Sequence, residues 1–197
     1  TNRSCITKDT RVVSISLDPT LCDPHSHTAL RMKRYGEQLS SFTIFAFGDT
    51  NDVWSLSKET HVHIVARGRR KVTALFSLYR ALKKHLREHP SDVLSVQDSY
   101  FLGVLGFFIA LKYNLALHIE VHGFEKQTML RAWCAGFVLS SAHGLRTVST
   151  RLKDELIQRW NVPEGRIEVV PMYVSVPRGV EAPRSVSRAE QLLTVSR

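Results

Sequence analysis

Residues 115–125 read LALHIEVHGFE. The stretch opens as a mostly apolar run, interrupted by His118 and Glu120, between Asn114 and Gly123. A short run of this kind predicts a strand largely buried in a parallel sheet. It ends in His122-Gly123, a titratable ring followed by the residue with the freest backbone. In open α/β sheets, ligands bind just beyond the carboxyl ends of the central strands. A histidine placed there can bond a substrate hydroxyl or a developing charge near neutral pH. The plainer role, capping the next helix or facing water, stays open to it from these residues alone.

Working outward, residues 92–96, DVLSV, predict a strand that ends in Gln97-Asp98-Ser99. Residues 100–113 are apolar nearly all round, which predicts a heavily buried helix. Residues 72–89 carry Val72, Leu75, Phe76, Tyr79, Leu82 and Leu86 at helical spacing, and Pro90 ends that helix. Further strands are predicted at 12–16 (VVSIS), 41–47 (SFTIFAF) and 61–65 (HVHIV). Ser26 or Thr28 can cap a helix running to about residue 39. Residues 48–52 form a turn cluster, with no clear helix between 41–47 and 61–65. Downstream come a helix over about 128–139, a short strand at 145–148 and a helix capped by Ser149 or Thr150 that ends near Trp160. The last strand is at 167–170. About seven strands, most of them separated by helices, predict an α/β protein with a Rossmann-like, doubly wound, mostly parallel sheet.

The texture changes after Pro171. Pro177, Gly179 and Pro183 among serines and arginines read as a linker over 172–190. Residues 191–197 then look like the start of a further strand, and a lone strand cannot form a domain. The expected organisation is therefore a domain at 1–171, a linker, and the beginning of a second domain. The longest apolar candidate, 100–111, is too short to span a bilayer and is stopped by Lys112. The start, TNRSCITKDTR, has no apolar segment of the signal-peptide type. Cys5, Cys22 and Cys134 are odd in number and lack close metal-ligand spacing, which argues against a disulfide framework and for a reducing cytoplasm. A net charge of +9 favours an anionic partner: nucleic acid, a membrane face or a phosphorylated substrate.

Several turns carry a family likeness. They are Val96-Gln97-Asp98-Ser99-Tyr100 followed by Gly103; Val121-His122-Gly123-Phe124; residues 144–149, GLRTVS; residues 166–171, RIEVVP; and the final LLTVSR. In this order and spacing they resemble the N-terminal domain of glycosyltransferase family 4, retaining enzymes of the GT-B fold. The resemblance runs from about Val12 to the end of the chain. It implies that 1–171 is the acceptor-side domain and that 191–197 begins a C-terminal nucleotide-sugar domain. The complete enzyme would move a sugar, as a hexosyltransferase, from a nucleotide-sugar donor to a glycan or lipid-linked acceptor. The nucleotide sugar is then a substrate, and no cofactor is implied. The family's paired glutamates and its basic diphosphate-binding residues belong to the second domain, so this fragment alone is expected to be inactive. One departure concerns the loop after the first strand, where many members carry a glycine pair; here it reads LDPTLCDPHSH.

The resemblance and the position of the turn make His122 the candidate catalytic residue. Gln97, Asp98 and Gly123 are candidates for substrate binding, with Asp18 and His25 of the first loop as acceptor-side candidates. Ser149 and Thr150 fit either plain helix caps or binders of hydroxyl or phosphate groups at a helix N-terminus. His61 and His63 point to one side of a strand, but no third ligand is near in sequence, so no metal is expected. His85 and His89 fall among Lys83, Lys84 and Arg87 and read as part of a solvated basic face. From Arg67 to His89 there are eight lysines and arginines against one acidic residue, Glu88. Arg80, Lys84 and Arg87 form one flank of the predicted helix. That flank is either merely solvated or docks on an anionic membrane, which would make the protein peripheral on the cytoplasmic face. Nucleic acid could use the same charges, but no helix-turn-helix or aromatic RNA-binding signature accompanies them. The rival to an enzyme is a basic Rossmann-like module that binds an anionic surface without catalysis.

Overall fold

A computed structural model describes residues 8–68, 71–124 and 128–171. The predicted linker at 172–190 and strand start at 191–197 lie outside them. The strands are β1 (Arg11–Ser16), β2 (Ser41–Gly48), β3 (Asp52–Ser55), β4 (Thr60–Ala66), β5 (Val93–Val96), β6 (Ala116–Val121), β7 (Gly144–Thr147) and β8 (Ile167–Val169). They form one sheet in the order β3-β4-β2-β1-β5-β6-β7-β8. Every neighbouring pair is parallel except β3 and β4. The helices are α1 (His27–Gly36), α2 (Lys71–Glu88), α3 (Phe101–Tyr113), α4 (Met129–Ser141) and α5 (Thr150–Trp160).

This is the expected α/β Rossmann-like architecture, with eight strands in place of about seven. The additional strand is β3, which follows directly on the predicted turn cluster. Its four residues are mostly exposed, so no apolar periodicity marks them. It returns antiparallel along β4 and takes the place of a connecting helix. Strand order reverses at β1, which pairs with β2 on one side and β5 on the other. A crevice opens at such a reversal because successive connections leave it in opposite directions.

Cross-strand register sorts the side chains into two faces. On one face Ile15, Val96, Ile119, Leu145 and Ile167 lie in one file, with Val13, Leu94 and Leu117 in the next. Leu78, Leu82, Ala135, Val138 and Leu156 from the helices close over them in one core cluster. On the other face Phe42, Ile44, Val62 and Ile64 pack with Ala29 and Met32 of α1 and with Leu21. Beyond β1 that second face turns polar: Ser14, Ser95 and His118 in one file, then Glu120 beside Arg146.

The polar files correct the expectation for residues 115–121. Strand β6 alternates between partly exposed and buried residues and is sealed on one face only. His118 and Glu120 share a parity, so both fall on the polar face. Gly103, one of the family-like positions, has a packing reason. A Cβ there would meet the Asp98 carbonyl oxygen at 2.7 Å and Val138 at 2.9 Å.

The two histidine pairs read apart in the sequence meet at the amino-terminal edge of the sheet. His63 stacks on Phe45 at 4.9 Å between ring centroids, His85 lies 5.5 Å from His63, and His89 lies 4.8 Å from His85. His61 lines the same small hollow and has Ser55 Oγ 2.9 Å from its Nδ1. Among the described residues, no group of three or more His, Cys, Asp or Glu is arranged to hold a metal ion. Burial, then the neighbouring His63, His89 and His61, push His85 down to about 4. Burial, then His61 and His89, also lower His63. The unfolded chain therefore takes up protons first as pH falls. Stability should be flat above about pH 6.5 and decline toward pH 4, where the folded His85 ring also protonates. A shift of that size corresponds to roughly 3 kcal/mol for a fully shielded group, and solvent screening of these part-exposed rings leaves about 1 kcal/mol. Thermal melts across that range check this, and His85→Leu should flatten the acid limb. An unchanged limb in the variant would exclude the cluster as its source.

Candidate functional site

The crevice lies over the carboxyl ends of β1, β5 and β6 and has two connected parts. One, of about 540 Å³, is lined by Gln97, Asp98, Glu120, His122, Arg131 and Arg151, among others. The second, of about 520 Å³, lies toward β2 and the first turns of α2 and α3, and is lined largely by apolar side chains. Leu17, Asp98, Tyr100 and Arg131 border both parts.

The polar part is built on β6. Parity sets His118, Glu120 and His122 on one side of the strand as it rises to the crevice. The Glu120 carboxylate gathers its neighbours. Its Oε2 accepts from Gln97 Nε2 at 3.4 Å, and its Oε1 from Ser95 Oγ at 3.5 Å. His122 Nε2 and Arg146 Nη1 each lie 3.7 Å from Oε2, slightly beyond hydrogen-bond length. Burial pulls the Glu120 carboxyl up, but the facing His122 ring, Arg146 and His118 outweigh it and hold the group below its usual range. It is therefore an anion at neutral pH. Two residues earlier on the strand, His118 Nδ1 lies 3.0 Å from Ser95 Oγ, and burial lowers its proton affinity despite Glu120. His122 is about half exposed, so its ring stands in the crevice.

Gln97 is oriented from both sides: Ser16 Oγ donates to its Oε1 at 2.6 Å while its Nε2 reaches Glu120. Asp98 accepts the Leu102 backbone N–H at 3.0 Å, which ties it to the start of α3. Burial raises its pKa, against the opposing pull of backbone N–H groups and Arg131. Gly123 lines the crevice. It has no positive φ, and a Cβ there would meet nothing within 4 Å. The turn thus makes no use of the freedom of the glycine backbone.

The other candidates are placed elsewhere. Both Asp18 carboxylate oxygens are engaged, Oδ1 by Thr20 and Oδ2 by Thr28, so the group caps the short turn Pro19–Cys22. Burial raises the Asp18 pKa, but those hydrogen bonds and Arg31 bring it below the usual range. His25 is exposed and borders neither part of the crevice. Ser149 caps α5 by accepting from Leu152 N–H at 3.3 Å, and Thr150 is exposed at that helix's first position. From that helix it is Arg151, Leu152 and Glu155 that reach the crevice. Arg80, Lys84 and Arg87 share one groove on α2, where Arg80 lies over the Phe76 ring at 5.8 Å.

Glu120, Arg146 and Arg131 escaped the sequence reading. A signal for Glu120 was present: His118, Glu120 and His122 recur with period two, which in a strand puts all three on one face. Arg146 becomes relevant only because β7 pairs with β6 in the register Glu120↔Arg146.

Residues 26–172, about three quarters of the chain, match the glycosyl transferase 4-like domain family. No curated protein sequence matches the chain significantly. Among solved structures the fold is similar to a UDP-N-acetylglucosamine 2-epimerase, at 13% identity and a TM-score of 0.58 over 82% of this chain and 48% of that one. It is also similar to UDP-GlcNAc 2-epimerase from Methanocaldococcus jannaschii, at 14% identity and a TM-score of 0.55 over 82% of this chain and 45% of that one. A glycosyltransferase from Rickettsia africae ESF-5 shows 12% identity and a TM-score of 0.55, over 83% and 43% respectively. The chain thus spans somewhat under half the length of the structures it matches.

Proposed function

The chain belongs to the glycosyl transferase 4-like family, and on that premise we propose that it is the acceptor-side domain of a retaining glycosyltransferase that uses a nucleotide-sugar donor. The observation that carries this reading is the Glu120-anchored file that ends in His122, at the carboxyl end of β6 in the crevice wall. The UDP-sugar epimerases of similar fold support a nucleotide sugar as the donor. In the proposed reaction an acceptor hydroxyl oxygen bonds to the anomeric carbon as the bond from that carbon to the donor diphosphate breaks. The nucleoside diphosphate leaves with the electron pair, and the hydroxyl proton is released to it or to solvent. With the Nε2–H of His122 turned to the Glu120 anion, its Nδ1 is free to accept from a sugar hydroxyl. Gln97 and Asp98 offer further polar contacts along the same rim.

Donor binding is proposed to need a second domain. Full-length protein should therefore release nucleoside diphosphate from a nucleotide sugar in an acceptor-dependent way, while the 197-residue chain alone should show no turnover. Turnover by the isolated chain would contradict the two-domain reading, and acceptor-independent inertness of the full-length protein toward every nucleotide sugar would remove the transferase.

Contact with an anionic membrane is the proposed use of α2. Among the described residues no helix is long and apolar enough to cross a membrane. Arg80, Lys84 and Arg87 lie exposed on one flank, each able to contribute roughly 1 kcal/mol near an anionic surface. Changing all three to glutamate should abolish most binding to anionic vesicles at low salt and leave the melting temperature unchanged. Vesicle binding that ignores both the substitutions and added salt would argue for a solvated face, since electrostatic docking is screened.

A further inference from the structure

Helix α3, FLGVLGFFIALKY, is apolar on every side, yet the core takes up only its inner side. Leu102, Ile109 and Ala110 are buried there, while Phe108 and Leu111 are 59% and 69% exposed. Helix α4 packs beside α3 and repeats the pattern. Its Ala135, Val138 and Leu139 are buried, whereas Met129, Leu130 and Trp133 are 92%, 58% and 69% exposed. A helix that is apolar all round belongs inside protein or membrane. The 13 residues of α3 rise only about 20 Å, too short for a bilayer core. Its outer face therefore fits a protein cover.

The exposed side chains form one surface. Trp133 stacks on Phe137 at 6.1 Å between ring centroids, Phe137 meets Phe107 edge-on at 4.7 Å, and Phe107 meets Phe108 at 5.4 Å. Rings thus run without a break from α4 to α3. Met129 and Leu130 lie one turn before Trp133, and Leu111 one turn after Phe108, so each widens the surface on the same side. At roughly 150–250 Å² for a large side chain, the five exposed residues offer on the order of 700 Å². The largest apolar patch on a monomer is usually about 300–600 Å². Each partner in a standard interface gives about 800 Å².

Charge selects the partner. Helices α3 and α4 contain no acidic residue and one cation each, Lys112 and Arg131. Lys112 lies in the last turn of α3, and Arg131 lies over the Tyr100 ring and lines the crevice. The ring surface therefore has no charge to offer an acidic or a basic partner, and the cations suited to anionic lipid lie apart from it on α2. Aromatic and methionine side chains without charges are the composition of a protein interface core. A second copy brings the same neutral surface. A chain of net charge +9 meets its own kind at least cost where its cations are absent.

We propose that the outer face of α3 and α4 joins two copies of this chain in a two-fold dimer, with Phe108 and Trp133 in the contact. Two-fold pairing sets one patch against itself, as a self-complementary neutral surface allows. The contact lies on the helix layer, outside the crevice, and is independent of glycosyl transfer.

Analytical ultracentrifugation of the full-length protein tests this. Standard-size interfaces hold with affinities from micromolar to picomolar, so the protein should sediment as a dimer at about 10 μM. Tryptophan emission should shift to the red on dilution through the dissociation range, and Trp133→Phe should remove most of that change. Trp133→Glu and Phe108→Glu each place a carboxylate in the apolar contact and should weaken the dimer at least about a hundredfold. Both side chains are exposed, so the far-ultraviolet circular dichroism should be retained. If either variant loses it, Leu111→Lys supplies the same readout. Arg80→Glu, on α2, should leave the dimer intact. A full-length protein that stays monomeric at about 100 μM would overturn the proposal. So would a dimer indifferent to Trp133→Glu and Phe108→Glu, which would place the contact elsewhere. A monomer that binds zwitterionic vesicles through Trp133 and Phe108 would assign the face to membrane and overturn the dimer.

Discussion

His122→Ala in the full-length protein should lower turnover about a hundredfold, with the melting temperature retained. The ring is about half exposed and stands at the carboxyl end of β6, so removing it opens no core cavity. Its loss deletes one preorganised polar group facing the crevice. Such a group typically contributes roughly 3 kcal/mol when its contact strengthens in the transition state. Because the contact is proposed to form mainly there, kcat should fall while donor affinity changes little. Donor affinity is read separately by titrating the nucleotide sugar. Turnover within a factor of about two of the parent, well under 1 kcal/mol, would return His122 to a solvent-facing loop residue.

Glu120→Ala should cost both stability and turnover, for separate reasons. The carboxylate is 15% exposed and faces Arg146, itself 23% exposed, across the β6–β7 pairing. Among the described residues the Arg146 Nε atom has no hydrogen-bond partner, and Glu120 is the anion the guanidinium faces across the β6–β7 pairing. Removing it takes away the buried counter-charge of a mostly buried cation, at about 2–3 kcal/mol, which lowers the melting temperature by roughly 5–10 °C. Turnover should fall as well, since the His122 ring loses the group that orients it. Glu120 is thus a positioning residue, and Glu120→Gln separates its two effects. The amide keeps the shape and can still accept from Gln97, yet no longer attracts the His122 ring as an anion does. The Gln variant should therefore recover part of the stability and little of the rate. Full activity in either variant would detach the carboxylate from the chemistry. The depressed Glu120 pKa also sets an acid limit. The stabilisation is present above the unfolded value near 4.3 and is lost as pH falls through the lower folded value.

Much of the fold was legible because strand and helix differ in period. The apolar spacing of 72–89 and the all-round apolar character of 100–113 correspond to α2 and α3 within a residue or two. Strand β3 was not legible, since its partner β4 supplies backbone pairing that needs no apolar pattern. At the site, the residues just beyond strand ends, Gln97, Asp98 and His122, could be named because a parallel sheet carries such turns to one edge. Asp18, His25, Ser149 and Thr150 do not line the crevice. Local hydrogen bonds commit Asp18 to a turn and Ser149 to a helix cap.

What the sequence by itself determined was the alternation of strand and helix, the sign of the surface charge and the identity of the turn that ends in His122. Each follows from neighbours within a few positions along the chain, where periodicity and local backbone preference act. Only the tertiary structure decided that β6 is polar on one face, that Glu120 meets Arg146, Gln97 and His122, and that four histidines, two from β4 and two from the carboxyl end of α2 and the residue after it, share one hollow. These contacts join residues on separate elements, and their register is set by hydrogen bonds between strands and by helix packing, which no single segment encodes.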